Sequence, residues 1–282
     1  MQIPAPDFDL ALTLDSGQTF HWNPAGAGFL GAIGDRAVYV EQRRDTLEFR
    51  GAPAGVVARY FALDHPLSEI CASFPRDPAM EGAAQFCRGL RIIRQPHWEC
   101  LASFITSSMK QVAHIRQISH ALRQRYGNRS VLYGSHVYAF PSPQRLAGTT
   151  EGELRECTLG YRAKNLLATA RLVASGEVNL ENWTALPDED LHARLCALPG
   201  VGPKVANCVM LFAYERLRAF PIDVWIERVL MQKYFPRRGK MTAAQLRDFA
   251  AQHFGVHGGY AQQYLFHHAR KTTPRRLSPR SR

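Results

Sequence analysis

Hydrophobic and polar positions alternate through the first part of the chain. In the stretch DRAVYVEQRRDTLEFRG, every second position on either side of a polar turn near residues 43–45 is apolar: Val38, Val40, Leu47 and Phe49. A period of two is that of a strand with one buried face, so this stretch predicts an antiparallel β-hairpin.

From about residue 53 the apolar positions recur with the period of a helix. In HIRQISHALRQRYG, Ile115, Ile118 and Leu122 share one face, and most of the basic side chains lie toward solvent. Thr242, followed three residues later by Gln245, forms a capping box that predicts the start of a helix. Similar patterns predict helices at about 153–175, 188–197, 203–216, 223–234, 242–254 and 259–270.

These patterns predict an α+β fold that is mainly α. We expect a small N-terminal domain with an antiparallel β-structure over residues 1–88 and a helical body over residues 89–270. The last thirteen residues, RKTTPRRLSPRSR, hold six basic residues and no acidic residue. A basic end with Pro and Ser predicts a disordered tail over residues 271–282, which either contacts polyanions or only aids solubility.

The net charge of +11 comes largely from this basic end. The remaining 269 residues carry 29 basic and 24 acidic side chains, which permits nucleic-acid binding without demonstrating it. No apolar run approaches the length of a membrane span, and the start MQIPAPDFDLAL does not resemble a signal peptide. We therefore expect a cytoplasmic protein that does not enter a membrane.

The cysteines do not form a recognisable metal-binding pattern. No C-x-x-C pair occurs among the six cysteines, which argues against structural zinc and against an iron–sulfur cluster. We expect reduced, mostly buried thiols and no metal site.

The stretch LPGVGPKVA, residues 198–206, joins two predicted helices. Gly200 and Gly202 supply the backbone freedom for a tight turn, and Pro203 suits the first position of the second helix. Backbone N–H groups at such a turn and helix N-terminus form a seat for phosphate that is independent of base sequence. A tight corner between two helices without any ligand fits the turn equally well.

Lys204 follows this turn and begins an almost wholly apolar run. The positive end of the helix dipole and the apolar surroundings both act against the charged form of its side chain. A neutral amine is a nucleophile that can form a Schiff base with a carbonyl carbon. The alternative is a lysine whose ammonium group extends to water or to a phosphate.

Asp223, in the stretch AFPIDVWIERVL, precedes a strongly apolar helix, and its position predicts an N-cap. The same carboxylate is suited to accept the proton of Lys204 or to stabilise positive charge on a sugar ring. Capping and catalysis are compatible, because the cap fixes the side chain that the chemistry uses.

The hairpin LPGVGPKVA followed by PIDV resembles the helix–hairpin–helix (HhH-GPD) superfamily of DNA glycosylases. The lysine within the hairpin is similar to that of the bifunctional members, which join base excision to strand cleavage. Four further stretches resemble 8-oxoguanine DNA glycosylase and occur in order along nearly the whole chain: SGQTFHW (16–22), GLRIIRQPHWECLASFITSS (89–108), LGYRAKNL (159–166) and GYAQQYLF (259–266).

This resemblance implies a DNA glycosylase and AP lyase that excises 8-oxoguanine from duplex DNA in base excision repair. Lys204 would attack the deoxyribose C1′ with the assistance of Asp223, and β-elimination would then nick the strand. The resemblance implies a monomer whose partner is damaged double-stranded DNA, with no cofactor and no metal. Two alternatives are a glycosylase of this fold for an alkylated base, which generally lacks the hairpin lysine, and a helix–hairpin–helix module without catalysis.

The resemblance also implies a pocket for the flipped base. Gly17 would accept, through its carbonyl, the N7 hydrogen that oxidation adds to guanine. Phe266 and Cys208 would sandwich the base, Gln262 would bond its Watson–Crick edge, and Pro221 would border the pocket. From the residues alone, the structural alternative is favoured: a place in the core for Phe266 and Cys208, and a turn for Gly17.

Further positions are implied to contact the DNA. Tyr161 would wedge into the base stack and Arg162 would contact the orphaned partner base. Trp225 stands where the family often has a histidine near a phosphate, and its indole N–H is a possible donor. The remaining implied contacts lie in the hairpin turn and after the stretch SS: Gly200, Gly202 and Lys110.

Two departures from the family pattern concern the partner base. Met109 stands where eukaryotic relatives have an asparagine that helps to fill the gap, and His114 aligns with an arginine that contacts the orphan cytosine, although Arg116 is near. Histidine cannot duplicate a bidentate arginine contact, and methionine offers only packing. With Arg162 left as the main contact, we expect weaker discrimination for cytosine opposite the lesion.

Overall fold

The computed structural model describes residues 1–108, 111–239 and 241–273. The N-terminal part contains an antiparallel five-stranded sheet with the strand order β1-β5-β4-β3-β2. Its strands are β1 (Gln2–Pro4), β2 (Asn23–Ala25), β3 (Gly28–Ile33), β4 (Arg36–Arg43) and β5 (Thr46–Arg50). A second antiparallel pair consists of β6 (Arg129–Leu132) and β7 (Ser135–Tyr138).

The predicted β-hairpin is confirmed as the pair β4–β5. Val40 lies opposite Phe49, and Gln42 lies opposite Leu47. All four apolar side chains that predicted the hairpin are buried. The turn between the strands is tight, with Arg44 at a positive φ of 53°.

Most of the described chain is helical, so the predicted α+β, mainly α fold is confirmed. The helices are α1 (Leu10–Asp15), α2 (Ala54–Tyr60), α3 (Leu67–Ala72), α4 (Pro78–Phe86), α5 (His97–Ser107), α6 (Val112–Tyr126), α7 (Pro143–Ala147), α8 (Glu151–Glu156), α9 (Arg162–Ala174), α10 (Asp188–Cys196), α11 (Pro203–Phe212), α12 (Val224–Val229), α13 (Ala243–Phe254) and α14 (Gly258–Thr272). A π-helical segment, Leu230–Tyr234, extends α12, and the turns Glu181–Ala185 and Gly255–His257 are 3-10 helical.

Two expectations about local structure were wrong. The helix predicted over residues 153–175 is divided into α8 and α9, because Thr158 and Gly160 have φ values of 62° and 60°, which a right-handed helix cannot include. The region after residue 53 is not wholly helical either, since β6 and β7 form a hairpin that packs against β4 and β3. The predicted capping box at Thr242 and Gln245 is present and begins α13.

The N-terminal sheet and the helical body have separate buried cores. One core joins the sheet to α2, whereas the larger one includes α3, α4 and the later helices. Helix α5 lies deep in the larger core, and every residue from Glu99 to Ser107 is buried. The domain boundary placed at residue 88 stays a prediction.

The first residues of the expected tail belong to a helix. Helix α14 continues to Thr272, so Lys271 is helical, whereas residues 274–282 lie outside the described residues. No helix in the part of the chain that the structure describes is long and apolar enough to cross a membrane.

A buried ion pair connects α5 to α6. The Arg123 guanidinium donates to the Glu99 carboxylate, and both side chains are almost fully buried. His21, from the segment before β2, lies 3.4 Å from the same carboxylate. Burial lowers the pKa of His21 well below its usual value, and the Arg123 charge acts in the same direction, so this histidine is neutral. One arginine therefore compensates the buried carboxylate.

Replacing Glu99 with Gln is expected to lower the free energy of unfolding by about 3–5 kcal/mol, because it leaves the buried Arg123 charge uncompensated. Urea unfolding of the variant measures this loss. The control is Glu156→Gln, which removes the exposed partner of Arg125 and is expected to cost less than about 1 kcal/mol. Equal losses in both variants would contradict the prediction.

Candidate active site

The hairpin between α10 and α11 is fixed to helix α9. Gly200 has a φ of 79°, and a Cβ atom at this position would lie 2.7 Å from the Cβ of Asn165. The Thr169 hydroxyl donates to the carbonyl of Pro199 at 3.1 Å. A glycine is therefore required at position 200 both by its backbone conformation and by the approach of α9.

The N-terminus of α11 is open in front of its first turn. Gly202 is the N-cap residue and is exposed, and a Cβ atom there would have no atom within 4 Å. Pro203 occupies the first helical position, as expected, and has no N–H group to satisfy. The first N–H groups of a helix have no intrahelical acceptor, so the exposed N-terminus of α11 suits an anion such as a DNA phosphate.

Lys204 lies over a buried aromatic ring. The side chain is half-buried, and its Nζ is 5.2 Å from the centroid of the Phe104 ring on α5. Phe104 in turn stacks on Phe212, with ring centroids 5.4 Å apart. The packing of α5 against α11 therefore holds the amine beside an apolar surface.

Asp223 is the N-cap of α12, as its position in the sequence predicts. Its Oδ1 accepts a hydrogen bond of 2.9 Å from the backbone N–H of Ile226. Burial raises the pKa of the Asp223 carboxyl, whereas the cap hydrogen bonds and the charge of Lys204 act in the opposite direction. The carboxylate is thus held by the helix within electrostatic range of the amine.

Cys208 lies one turn after Lys204 on the same helix and is almost fully buried. Burial raises the pKa of its thiol, and the nearby Lys204 charge acts in the opposite direction. Cys100 of α5 lies near both residues, and burial raises the pKa of its thiol well above the usual value. Both thiols are protonated and form part of an apolar wall beside the lysine.

Gly17 and Phe266 lie beside each other although they come from opposite ends of the chain. Gly17 has a φ of 88°, and a Cβ atom there would lie 3.1 Å from Cε1 of Phe266 and 3.6 Å from Cγ2 of Val112. The structure therefore brings together two of the residues that the sequence assigned to a base pocket.

Gln262 lies one turn before Phe266 on α14 and is only 4% exposed. Its Oε1 atom is buried and has no hydrogen-bond partner among the residues that the structure describes. A buried acceptor without a partner is unfavourable, so a ligand that donates a hydrogen bond here would gain affinity. Pro221, another expected pocket residue, is buried just before α12.

The segment on either side of Gly17 is anchored by residues that the sequence analysis did not assign. The Gln18 side chain is fully buried; its Nε2 donates to Arg91 O at 2.8 Å and its Oε1 accepts from Ile93 N at 2.7 Å. Gln263 of α14 donates to Ser16 O at 2.9 Å. The two glutamines lie within the quoted stretches SGQTFHW and GYAQQYLF. Nothing in the neighbouring sequence indicates that they are buried and bond to the backbone rather than lie at the surface.

Tyr161 and Arg162 lie together at the start of α9. Tyr161 is 59% exposed, and the guanidinium carbon of Arg162 is 4.3 Å from the centroid of its ring. Arg162 is only 5% exposed, and its Nε donates to the backbone carbonyl of Ser108 at 2.8 Å. In the free protein Arg162 therefore bonds to the last residue before position 109.

The remaining expected DNA contacts are dispersed. His114 is exposed on α6, whereas the neighbouring Arg116 donates to Asp15 at 3.1 Å. Trp225 is half-buried in the first turn of α12, with the Arg228 guanidinium carbon 5.4 Å from its ring centroid. Two expected contacts lie outside the described residues: Met109 and Lys110.

Two models of known protein families match most of the chain. Residues 1–101 match the family "8-oxoguanine DNA glycosylase, N-terminal domain", and residues 102–252 match "HhH-GPD superfamily base excision DNA repair protein". The chain belongs to the 8-oxoguanine DNA glycosylase family. This confirms the resemblance drawn from the hairpin and the four further stretches.

Individual members and neighbours of this glycosylase family match over nearly their whole length. A probable N-glycosylase/DNA lyase of Methanothermobacter thermautotrophicus is 30% identical, covering 96% of each chain. The 8-oxoguanine glycosylase/lyase of Clostridium acetobutylicum, solved with double-stranded DNA containing cytosine opposite 8-oxoguanine, is 32% identical with a TM-score of 0.89, covering 96% of this chain and 97% of that one. The 3-methyladenine DNA glycosylase of Archaeoglobus fulgidus shares the fold, with a TM-score of 0.81 at 19% identity over 97% of this chain and 99% of that one.

Replacing Gly17 with Ala is expected to lower the rate of 8-oxoguanine excision about tenfold or more. The positive φ strains an alanine by about 1–3 kcal/mol, and the new methyl group presses on the Phe266 ring. Single-turnover excision from a duplex with one 8-oxoguanine measures the effect.

The matched control is Gly34→Ala. Gly34 also has a positive φ, of 58°, but a Cβ atom there would meet no atom within 4 Å. The control therefore carries the same kind of backbone strain without the contact to Phe266, and excision is expected to stay within about twofold of the wild-type rate. A similar loss of excision in both variants would overturn the steric explanation.

Proposed function

We propose that this chain is a bifunctional DNA glycosylase and AP lyase that excises 8-oxoguanine from duplex DNA and then nicks the strand in base excision repair. The observation that carries the proposal is the position of Lys204 over a buried aromatic ring and within electrostatic range of the Asp223 carboxylate, in a hairpin that can hold a phosphate. The family and the relatives that are N-glycosylase/DNA lyases support it.

In this proposal the flipped base is sandwiched by Phe266 and Cys208, and Gly17 borders the pocket at the edge of the base. Flipping costs a few kcal/mol, which stacking and hydrogen bonds in the pocket offset. The carbonyl of Gly17 accepts the N7–H of the oxidised guanine, which an undamaged guanine lacks. The Gln262 amide bonds to the Watson–Crick edge, which gives its buried Oε1 atom the missing partner.

The chemistry follows from the amine and the carboxylate. Deprotonated Lys204 Nζ forms a bond to C1′ of the deoxyribose while the bond from C1′ to the base breaks, and the base leaves with the bonding electrons. Asp223 accepts the lysine proton or stabilises the positive charge that develops on the sugar. The ring then opens to an imine, and β-elimination breaks the bond to the 3′ phosphate.

The duplex would be bound through several parts of the molecule. The backbone N–H groups around Gly200 and Gly202 contact a phosphate, and the exposed Tyr161 enters the base stack. Arg162 contacts the orphaned partner base, and Trp225 lies beside the bound strand. We propose that the protein acts as a monomer in the cytoplasm and needs no cofactor or metal.

Lys204→Gln is expected to abolish covalent trapping. Borohydride reduces an imine between an enzyme and DNA to a stable bond, so the wild-type chain should form an adduct with a duplex containing 8-oxoguanine. Removing the amine removes the imine. Lys233→Gln, which changes an exposed lysine in the π-helical segment, is the control and should form the adduct normally.

An adduct that persists in Lys204→Gln would contradict the assignment of the nucleophile. If the wild-type chain forms no adduct with 8-oxoguanine, with an abasic site or with an alkylated base, the proposed lyase activity is overturned. An adduct with the alkylated base but not with 8-oxoguanine would instead favour the other lesion class.

We expect weak discrimination between bases opposite the lesion. Each good bidentate contact is worth about 1–3 kcal/mol, and the contacts expected at positions 109 and 114 are lost because these residues are Met109 and His114. Excision opposite adenine should therefore be less than about a thousandfold slower than opposite cytosine. Single-turnover rates with each of the four bases opposite the lesion measure the ratio.

His114→Arg provides the matched comparison for this prediction, because the side chain is exposed on α6 and the change restores a bidentate donor. The variant should increase the preference for cytosine by about tenfold or more. A wild-type preference above a thousandfold, or no change in His114→Arg, would show that the discrimination arises elsewhere.

A further inference from the structure

Three basic side chains surround the carboxylate of Asp15 at the end of α1. Arg116 Nη2 lies 3.1 Å from Oδ1, Lys271 Nζ lies 2.5 Å from Oδ2, and Arg270 Nη2 lies 3.6 Å from Oδ2. Arg116 belongs to α6, whereas the other two belong to the last turn of α14. One carboxylate thus joins three helices, and the residue that carries it is two positions before Gly17.

Arg270 connects this carboxylate cluster to both sides of the expected base pocket. Its Nη2 also donates to the backbone carbonyl of Asp15, and its guanidinium carbon is 5.9 Å from the centroid of the Phe266 ring. The side chain is only 16% exposed. Arg270 therefore contacts the segment that leads to Gly17 and the ring that faces Gly17 at the same time.

The charges around Arg270 favour a fixed position. Its Nη2 lies 3.1 Å from Nδ1 of His267, and burial together with the Arg270 charge lowers the pKa of that histidine to about 4. A neutral His267 accepts a hydrogen bond at Nδ1 and adds no repulsion. Burial acts to raise the pKa of Asp15, but Lys271, Arg270 and Arg116 together lower it, so the carboxylate is ionised near neutral pH.

Exposed ion pairs contribute little to stability, and the outer members of the cluster are partly exposed. The loss of Asp15 would nevertheless leave three positive charges close together without a counter-ion. Their repulsion would displace Arg270 from the Asp15 carbonyl and from Phe266. The expected effect of the cluster is therefore on the relative position of two pocket walls rather than on folding.

We propose that Asp15 and Arg270 are positioning residues for recognition of the damaged base. They hold the Gly17 segment and Phe266 in the relative position in which both border the pocket for the flipped base, and they do so without touching the base or the sugar. This inference rests on the proposed function, because it acts through the pocket formed by Gly17 and Phe266. It gives the cluster no part in the imine chemistry at Lys204.

The two reactions of the enzyme separate this role from a merely structural one. Excision of 8-oxoguanine requires a base in the pocket that Gly17 and Phe266 border, whereas cleavage at a preformed abasic site requires Lys204 but no base in the pocket. Asp15→Asn and Arg270→Gln should each lower single-turnover excision of 8-oxoguanine about tenfold or more. Cleavage of the abasic duplex should stay within about twofold of wild type, which also reports that the variants are folded.

Three further variants sharpen the test. Lys271→Gln removes a cation that pairs with the Asp15 side chain, and no hydrogen bond from Lys271 to the Asp15 backbone occurs among the described residues, so it should lower excision less than Arg270→Gln. The double variant Asp15→Asn with Arg270→Gln should lose no more than the worse single variant, because the two side chains act as a unit. Glu151→Gln removes the partially exposed partner of Arg155 on α8, and it should leave both reactions unchanged.

Each outcome bears on the proposal. Equal loss of both reactions in Asp15→Asn and Arg270→Gln would show a structural role, and unchanged excision in both would show no role; either result overturns it. If Asp15→Asn does not fold, Arg270→Gln and Lys271→Gln decide by the same two reactions. Failure of the wild-type chain to cleave either substrate would instead overturn the proposed function, so the two failures are distinguishable.

Discussion

The hydrogen bonds of the buried Gln18 amide are the interaction on which the site depends most. Its Nε2 and Oε1 atoms bond the backbone of Arg91 and Ile93, in the irregular segment that leads into α5. Helix α5 then supplies Phe104 beneath Lys204. The Gln18 side chain thus ties the Gly17 segment of the N-terminal region to the segment that leads into α5, the helix under the Lys204 amine. The proposed pocket wall and the proposed nucleophile are therefore held relative to each other.

The sequence predicted those elements whose interactions join residues that are close together along the chain. The hairpin β4–β5 follows from alternating apolar positions, and the starts of α12 and α13 follow from Asp223 and Thr242, whose side chains bond to backbone N–H groups three residues later. The break between α8 and α9 could not be predicted, because the helical pattern continues through Thr158 and Gly160 and only their positive φ values end the helix.

The site required information that no local pattern contains. Lys204 and Asp223 could be singled out because each sits at a helix start with a known electrostatic consequence. Gly17 and Phe266 have no such signal; from the residues alone a turn and a core position were favoured, and the family resemblance assigned them. Their close approach, which would leave 3.1 Å between a Cβ atom placed on Gly17 and Cε1 of Phe266, arises only from tertiary packing. The same is true of the meeting of Asp15 with side chains from α6 and α14.

Under the proposed role of Arg162, its hydrogen bond to the Ser108 carbonyl makes recognition of the partner base an exchange of one hydrogen-bond acceptor for another. The Nε–H that Arg162 donates to Ser108 gains from a base edge only the difference between two acceptors. For this N–H, an acceptor weaker than an amide oxygen therefore adds no net stabilisation. When Arg162 no longer donates to it, the Ser108 carbonyl needs another hydrogen-bond donor. The free energy of binding the partner base therefore also depends on the backbone at Ser108.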